Sequence, residues 1–120
     1  MDEQTILAEL GPAIHSLKTL ALVALDMEDA HPLALPEPPG PDQVAAYERH
    51  MTAIAQQVNP HHRALLNASL RDYQGGFPDR AGNYLRELVT RLLQDPEYAA
   101  AFSPAGQKRL KACLADIKEV

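Results

Sequence analysis

Tryptophan is absent from the sequence, phenylalanine occurs twice and tyrosine four times, so the core must be built from aliphatic side chains and alanine. A single cysteine, Cys113, excludes an internal disulfide and a zinc site made of thiolates. No apolar run approaches the roughly 20 residues that a membrane span needs. No charged-then-apolar leader with a small-residue cleavage site opens the chain. The expectation is a cytoplasmic protein without membrane contact. Clean alternation of apolar and polar residues over five or more positions is also missing, which argues against strands. There is no G-x-S-x-G elbow, no Gly-rich phosphate loop and no G-x-G-x-x-G, so no nucleophile or cofactor signature is present and no cofactor is expected.

What is present suffices for one folded domain. The 120 residues are 46% hydrophobic, which rules out disorder throughout. Sixteen acidic residues oppose eleven basic ones, and they are unevenly spread. Residues 1–50 hold nine acids and two bases, whereas 51–120 hold seven acids and nine bases. The small basic excess of the second part, with few rings to stack on bases, argues against nucleic acid as a partner.

Proline placement divides the chain. Asn59-Pro60, Asp95-Pro96 and Ser103-Pro104 each set a side-chain acceptor before a proline whose φ angle is already helical, so each predicts a helix start. Gly75-Gly76 with Pro78 marks another break, and Asp79 is placed to cap the helix that follows. The stretch from His31 to Pro41 holds five of the ten prolines and predicts an extended connector.

Between these marks the apolar spacing is helical. The first segment, from about Asp2 to Met27, places Leu7, Leu10, Ile14, Leu17 and Ala21 on one stripe. Gly11-Pro12 interrupts it, predicting a kink or two shorter helices. The second helix, from about Asp42 to Val58, carries a seam of Val44, Tyr47, Met51, Ile54 and Val58. A third, from Pro60 to about Tyr73, turns Leu66, Leu70 and Tyr73 inward. A fourth, Asp79 to Gln94, buries Tyr84, Leu85, Leu88, Val89, Leu92 and Leu93. A short turn at Pro96–Phe102 leads to the last, Pro104–Lys118, with Leu110, Cys113, Leu114 and Ile117 on its face.

The fold class expected is therefore all-α, an antiparallel bundle of four main helices plus short helical turns. It forms a single domain over residues 1–120. Within it, 1–30 is an N-terminal helical segment, 31–41 the Pro-rich connector and 42–120 the bundle core.

Several residues invite chemistry. His15 lies on a helix with Lys18 three residues on, a stretch that resembles the phosphoacceptor site of histidine phosphotransfer domains, which are also four-helix bundles. That resemblance implies an exposed His15 that accepts a phosphoryl group and Lys18 as its neutralising partner, although Thr19 stands where the family carries a small residue. Asp26, Glu28, Asp29 and His31 bring carboxylates and an imidazole together, but without the glycine and distal Glu of an EF-hand loop. His61-His62 occupies a first helical turn, and neighbouring residues there point about 100° apart, so they need a third ligand from elsewhere. A metal- or ligand-binding bundle would draw on His31, His50, His61 or His62. Cys113 on an apolar stripe behaves as a small hydrophobe.

Tyr47, Met51, Thr52, Ala55 and Gln56, then Asn59-Pro60, then Tyr84 to Leu88, loosely resemble the helical Rubisco-assembly chaperones of the RbcX type. That resemblance implies a homodimeric bundle that clamps a peptide of its client.

Leu20 to Leu25 is apolar on all sides, and a helix of that kind is buried by its own domain or by a partner. The sequence therefore favours a non-enzymatic helical interaction module, an adaptor, regulator or assembly chaperone that binds another protein or itself, with a homodimer expected. Its contact surface is expected at Leu20, Leu22, Val23, Leu25, Tyr47 and Met51.

Overall fold

A computed structural model describes residues 2–30 and 39–118, with side chains from Asp2 to Leu22 and from Pro39 onward. Among the described residues the secondary structure is wholly helical: α1 (Glu3–Ala30), α2 (Pro41–Ala55), α3 (Pro60–Gln74), α4 (Pro78–Gln94), the single turn α5 (Pro96–Ala99) and α6 (Pro104–Ile117).

The helix starts follow the capping chemistry of the sequence. Asn59 accepts the His62 N–H at 3.0 Å, Asp95 accepts that of Glu97 at 3.0 Å, and Ser103 accepts that of Gly106 at 3.0 Å. Two starts differ from expectation. Pro41, read as the end of the connector, is the first residue of α2, with the Gln43 side chain reaching back to the Gly40 N–H at 3.2 Å. In α4 the capping position falls to Phe77, whose side chain makes no cap bond, and Asp79 sits inside the first turn. The reason lies in the turn before it. Phe77 donates to the Asp72 carbonyl and Gly76 to that of Tyr73, with Gly76 at φ 82°, a left-handed ending that only glycine adopts at no steric cost.

Gly11-Pro12 does not divide the first helix, which runs through Pro12 as one element of 28 residues. Both residues are exposed, so water can bond the Ala8 carbonyl that Pro12 leaves without a donor.

Contacts between elements fix the topology. The Asp2 N–H donates to Gln57 Oε1 at 2.7 Å, and Glu9 meets His50 at 2.6 Å. Numbering thus rises along α1 as it falls along α2, and the two helices are antiparallel. The short α2–α3 and α3–α4 links reverse the chain twice more. Packing of α1 on α2, α2 on α3, α3 on α4 and α4 on α1 closes a four-helix up-down-up-down ring. Helix α6 lies over α1 and α4. It runs parallel to α1, because Glu3 meets Ser103 at one end and Lys18 meets Asp116 at the other.

Every seam read from the sequence supplies the core. Ile6, Leu10, Leu17, Tyr47, Ile54, Leu66, Leu85, Leu88, Val89, Leu92 and Leu110 are wholly buried. Leu20, Tyr47 and Met51 belong to this core, at 7%, 0% and 3% exposure, and so cannot form the contact surface expected of them. They lie on the inner stripe of α1 and the inner seam of α2, where burial of an aliphatic or aromatic side chain is most favourable.

Helix α1 is longer than the ring it joins. Twenty-eight residues span about 42 Å, against about 22 Å for the 15 of α2. The molecule measures 48 × 23 × 20 Å. Because α2 begins and α6 ends beside Lys18 to Leu20, the last third of α1 continues beyond them.

Candidate interaction surface

The end of the bundle from which α1 continues is also where the α3–α4 turn lies, since α1 starts beside the α2–α3 turn at the opposite end. Among the described residues two large hydrophobic side chains are exposed, Leu22 at 62% and Phe77 at 46%, and both sit at this end. The Phe77 ring carries the Arg80 guanidinium 4.7 Å above it, leaving one apolar face beside one cation. Leu22 follows the exposed row of α1 formed by Ala8, Gly11, His15 and Thr19. The side chains of Val23 and Leu25, and all of His31 and the connector to Pro38, lie outside the described residues.

His15 is exposed on that row, and its carbonyl accepts the Thr19 hydroxyl at 2.9 Å. Lys18 pairs with Asp116 of α6 at 3.6 Å. His61 and His62 part company, as their spacing implied: His61 is exposed, while His62 is buried at 3% exposure. Its ring lies 4.8 Å from that of Tyr98, and its Nδ1 has no hydrogen-bond partner. Burial, with the nearby Arg91 charge, holds the His62 imidazole below its usual pKa. Among the described residues no three His, Cys, Asp or Glu side chains gather where a metal ion would sit.

The opposite end is closed by polar contacts. One Glu3 oxygen accepts the Ser103 hydroxyl at 2.6 Å and the Ser103 N–H at 3.2 Å, at the start of α6. A Cβ at position 106 would collide with that carboxylate, so Gly106 makes room for it. The Tyr98 ring packs tilted against His62, and its hydroxyl accepts the Asn59 N–H at 2.8 Å. Inside the bundle, Ser69 gives its hydrogen to the Ala81 carbonyl at 2.8 Å, so Tyr47 must donate to Ser69, also at 2.8 Å. Tyr47 stacks on Tyr73 at 4.1 Å, and burial pushes both phenols up. Cys113 is half-buried, with burial and Asp116 raising its thiol pKa, which suits a packing residue rather than a nucleophile.

Surface depressions on α2, on the α2–α3 turn and on α4 have volumes of about 450, 400 and 440 Å³. They are open and lined by long polar side chains such as Glu48, Arg49, Arg86 and Glu87, unlike the enclosed apolar sites that hold small ligands.

The sequence pattern placed the contact surface on both α1 and the seam of α2; of the residues named for it that are described, Leu22 is exposed and Leu20, Tyr47 and Met51 are buried. It missed Phe77, whose signal was its position between a left-handed glycine and a helix-starting proline, where a side chain has little structure to pack against. It also missed the pairing of Glu3 with Ser103, which only the return of α6 to the start of α1 creates.

These features define an all-α helical bundle in which no described helix is long and apolar enough to cross a membrane. No protein family, no curated protein and no solved structure matches the chain. No comparison bears out the resemblance to Rubisco-assembly chaperones read from the sequence.

Proposed function

We propose that the protein is a non-enzymatic helical interaction module that self-associates through the part of α1 extending past the bundle. The observation that carries this reading is Leu22, 62% exposed on a helix that continues for eight residues beyond it. In the sequence its neighbours from Leu20 to Leu25 are apolar on every side, and a helix of that kind is covered by something. Leu20 is covered by the bundle itself; Leu22 is not. Phe77 at the same end adds apolar area to the surface available for contact.

Sedimentation velocity of the full chain across a concentration series tests this, with Leu22→Lys as the variant. Reversible self-association of the natural chain, lost in Leu22→Lys with unchanged helicity, is the expected result. A variant that associates as strongly as the natural chain removes the surface. Collapse of helicity would instead assign Leu22 to the core, against its exposure.

His15 supports a second reading, phosphotransfer, because it is exposed on a bundle helix as such an acceptor must be. Incubation with acetyl phosphate as donor gives an acid-labile, base-stable label under this reading. A label retained in His15→Ala rules it out.

A further inference from the structure

Among the described residues one buried polar side-chain atom has no hydrogen-bond partner, Nδ1 of His62. Whichever tautomer the neutral ring adopts, a second proton leaves a charged ring with an N–H at Nδ1 and no acceptor for it. Burying an unpaired charge costs far more than burying an unpaired neutral group, so protonation acts against whatever covers the ring. That cover is thin. His62 lies in the first turn of α3, at an end of the bundle, and the Tyr98 ring packs 4.8 Å from its own. Tyr98 belongs to α5, a single turn of four residues, too short to hold itself by its own hydrogen bonds. The turn is tied down from outside: the Tyr98 hydroxyl accepts the Asn59 N–H at 2.8 Å, and the Ala99 carbonyl accepts Gln107 Nε2 at 2.8 Å.

Charges face the ring from several elements. Arg91 of α4 and His61 of α3 oppose its protonation, whereas Asp95 and Glu97, at the start of α5, favour it. The turn between α2 and α3 brings only the uncharged Gln56, Gln57, Val58 and Asn59. Neither carboxylate reaches Nδ1, and that of Asp95 is engaged with the Glu97 N–H at 3.0 Å.

We propose that α5 is a clasp over His62 that a proton releases. When the imidazole takes a second proton from water, Tyr98 leaves the ring and α5 swings off the start of α3, while the four-helix ring stays folded. Asn59 and Gln107 exchange their bonds to α5 for bonds to water, and Nδ1 gains a water acceptor. The Tyr98 ring then enters solvent at the end of the bundle opposite Leu22. Openings confined to one segment are expected where few contacts hold it. The closed state binds fewer protons than the open one, so opening grows as pH falls below about 6.5.

Amide hydrogen exchange of the full chain, followed by NMR across the range in which histidine titrates, about pH 8 to about pH 5, tests the clasp. Protection factors at Asn59, Ala99 and Ala100 should fall below about pH 6.5 by up to about tenfold per pH unit, the limit for one linked proton. Leu88 and Leu92, buried in α4, should stay more strongly protected throughout. His62→Phe should remove the slope. Tyr98→Phe keeps the ring but loses the acceptor of the Asn59 N–H, so it should lower protection at the three amides at every pH and leave the slope. Equal protection in α5 and α4 of the natural chain would make the opening global and overturn the clasp. Protection at the three amides that stays level with pH overturns it without need of a variant. A slope that survives in His62→Phe assigns the proton to another group, with the same consequence.

Discussion

The hydroxyl of Ser69 is wholly buried and carries two bonds, one given to Ala81 and one received from Tyr47. Ser69→Ala strands the Tyr47 donor in an apolar core, whereas Tyr47→Phe leaves Ser69 with its bond to Ala81 intact. Urea unfolding should therefore show a larger loss for Ser69→Ala, about 1–3 kcal/mol, than for Tyr47→Phe, about 0.5–1.5 kcal/mol. The double variant should cost less than both losses together, because the two groups share one interaction. His62 makes stability depend on pH. Its pKa is lowered in the folded state by burial, so between that value and the unfolded value near 6.5 the unfolded chain binds more protons. The stability it contributes is present above about pH 6.5 and is lost as pH falls toward the folded value. His62→Phe should flatten this acid limb in thermal unfolding followed by circular dichroism.

Among the elements, α1 bears an interior proline and α6 depends on a contact from the far end of the chain. An interior proline costs up to about 3 kcal/mol relative to alanine. Pro12→Ala should raise stability by about 1–3 kcal/mol, read as a higher thermal midpoint, since Pro12 is exposed and alanine restores a donor to the Ala8 carbonyl. Ser103→Ala should lower stability by about 0.5–2 kcal/mol, because it removes both the cap of α6 and the hydroxyl that Glu3 accepts. By contrast, the exposed Glu87–Arg91 pair within α4, at 2.8 Å, is worth only about 0.3–0.5 kcal/mol. The helix starts at Asn59, Asp95 and Ser103 were legible because a cap followed by proline acts locally. The start at Pro78 was less so, since a reversal after α3 consumed the residues that would have capped it.

At the scale of the whole molecule, a radius of gyration of 14.6 Å exceeds the roughly 13.6 Å of a compact chain of this length, and the 48 Å axis reflects the length of α1. Acidic residues outnumber basic ones nine to two in residues 1–50, and basic ones outnumber acidic nine to seven in 51–120. Self-association held by an apolar contact should not weaken with salt. Between about 0.1 M and about 1 M the screening length falls from about 10 Å to about 3 Å. The dissociation constant for self-association through Leu22 should not rise over that range, and the urea midpoint of the monomer should move little, because contact and core are both apolar.

The sequence by itself determined the helices, their inner faces and most of their ends, because periodicity and capping act within a few residues of the chain. It also marked Leu20–Leu25 as apolar on all sides, to be covered by the domain or by a partner. Tertiary structure decided which of those residues are covered. Leu20, Tyr47 and Met51 went into the core and Leu22 stayed in water, a division set by where α2 begins and α6 ends beside α1. It also carried α1 through Pro12, where an exposed position lets water take the place of the missing donor. Burial depends on elements distant in sequence meeting in space, and local pattern carries no record of that meeting.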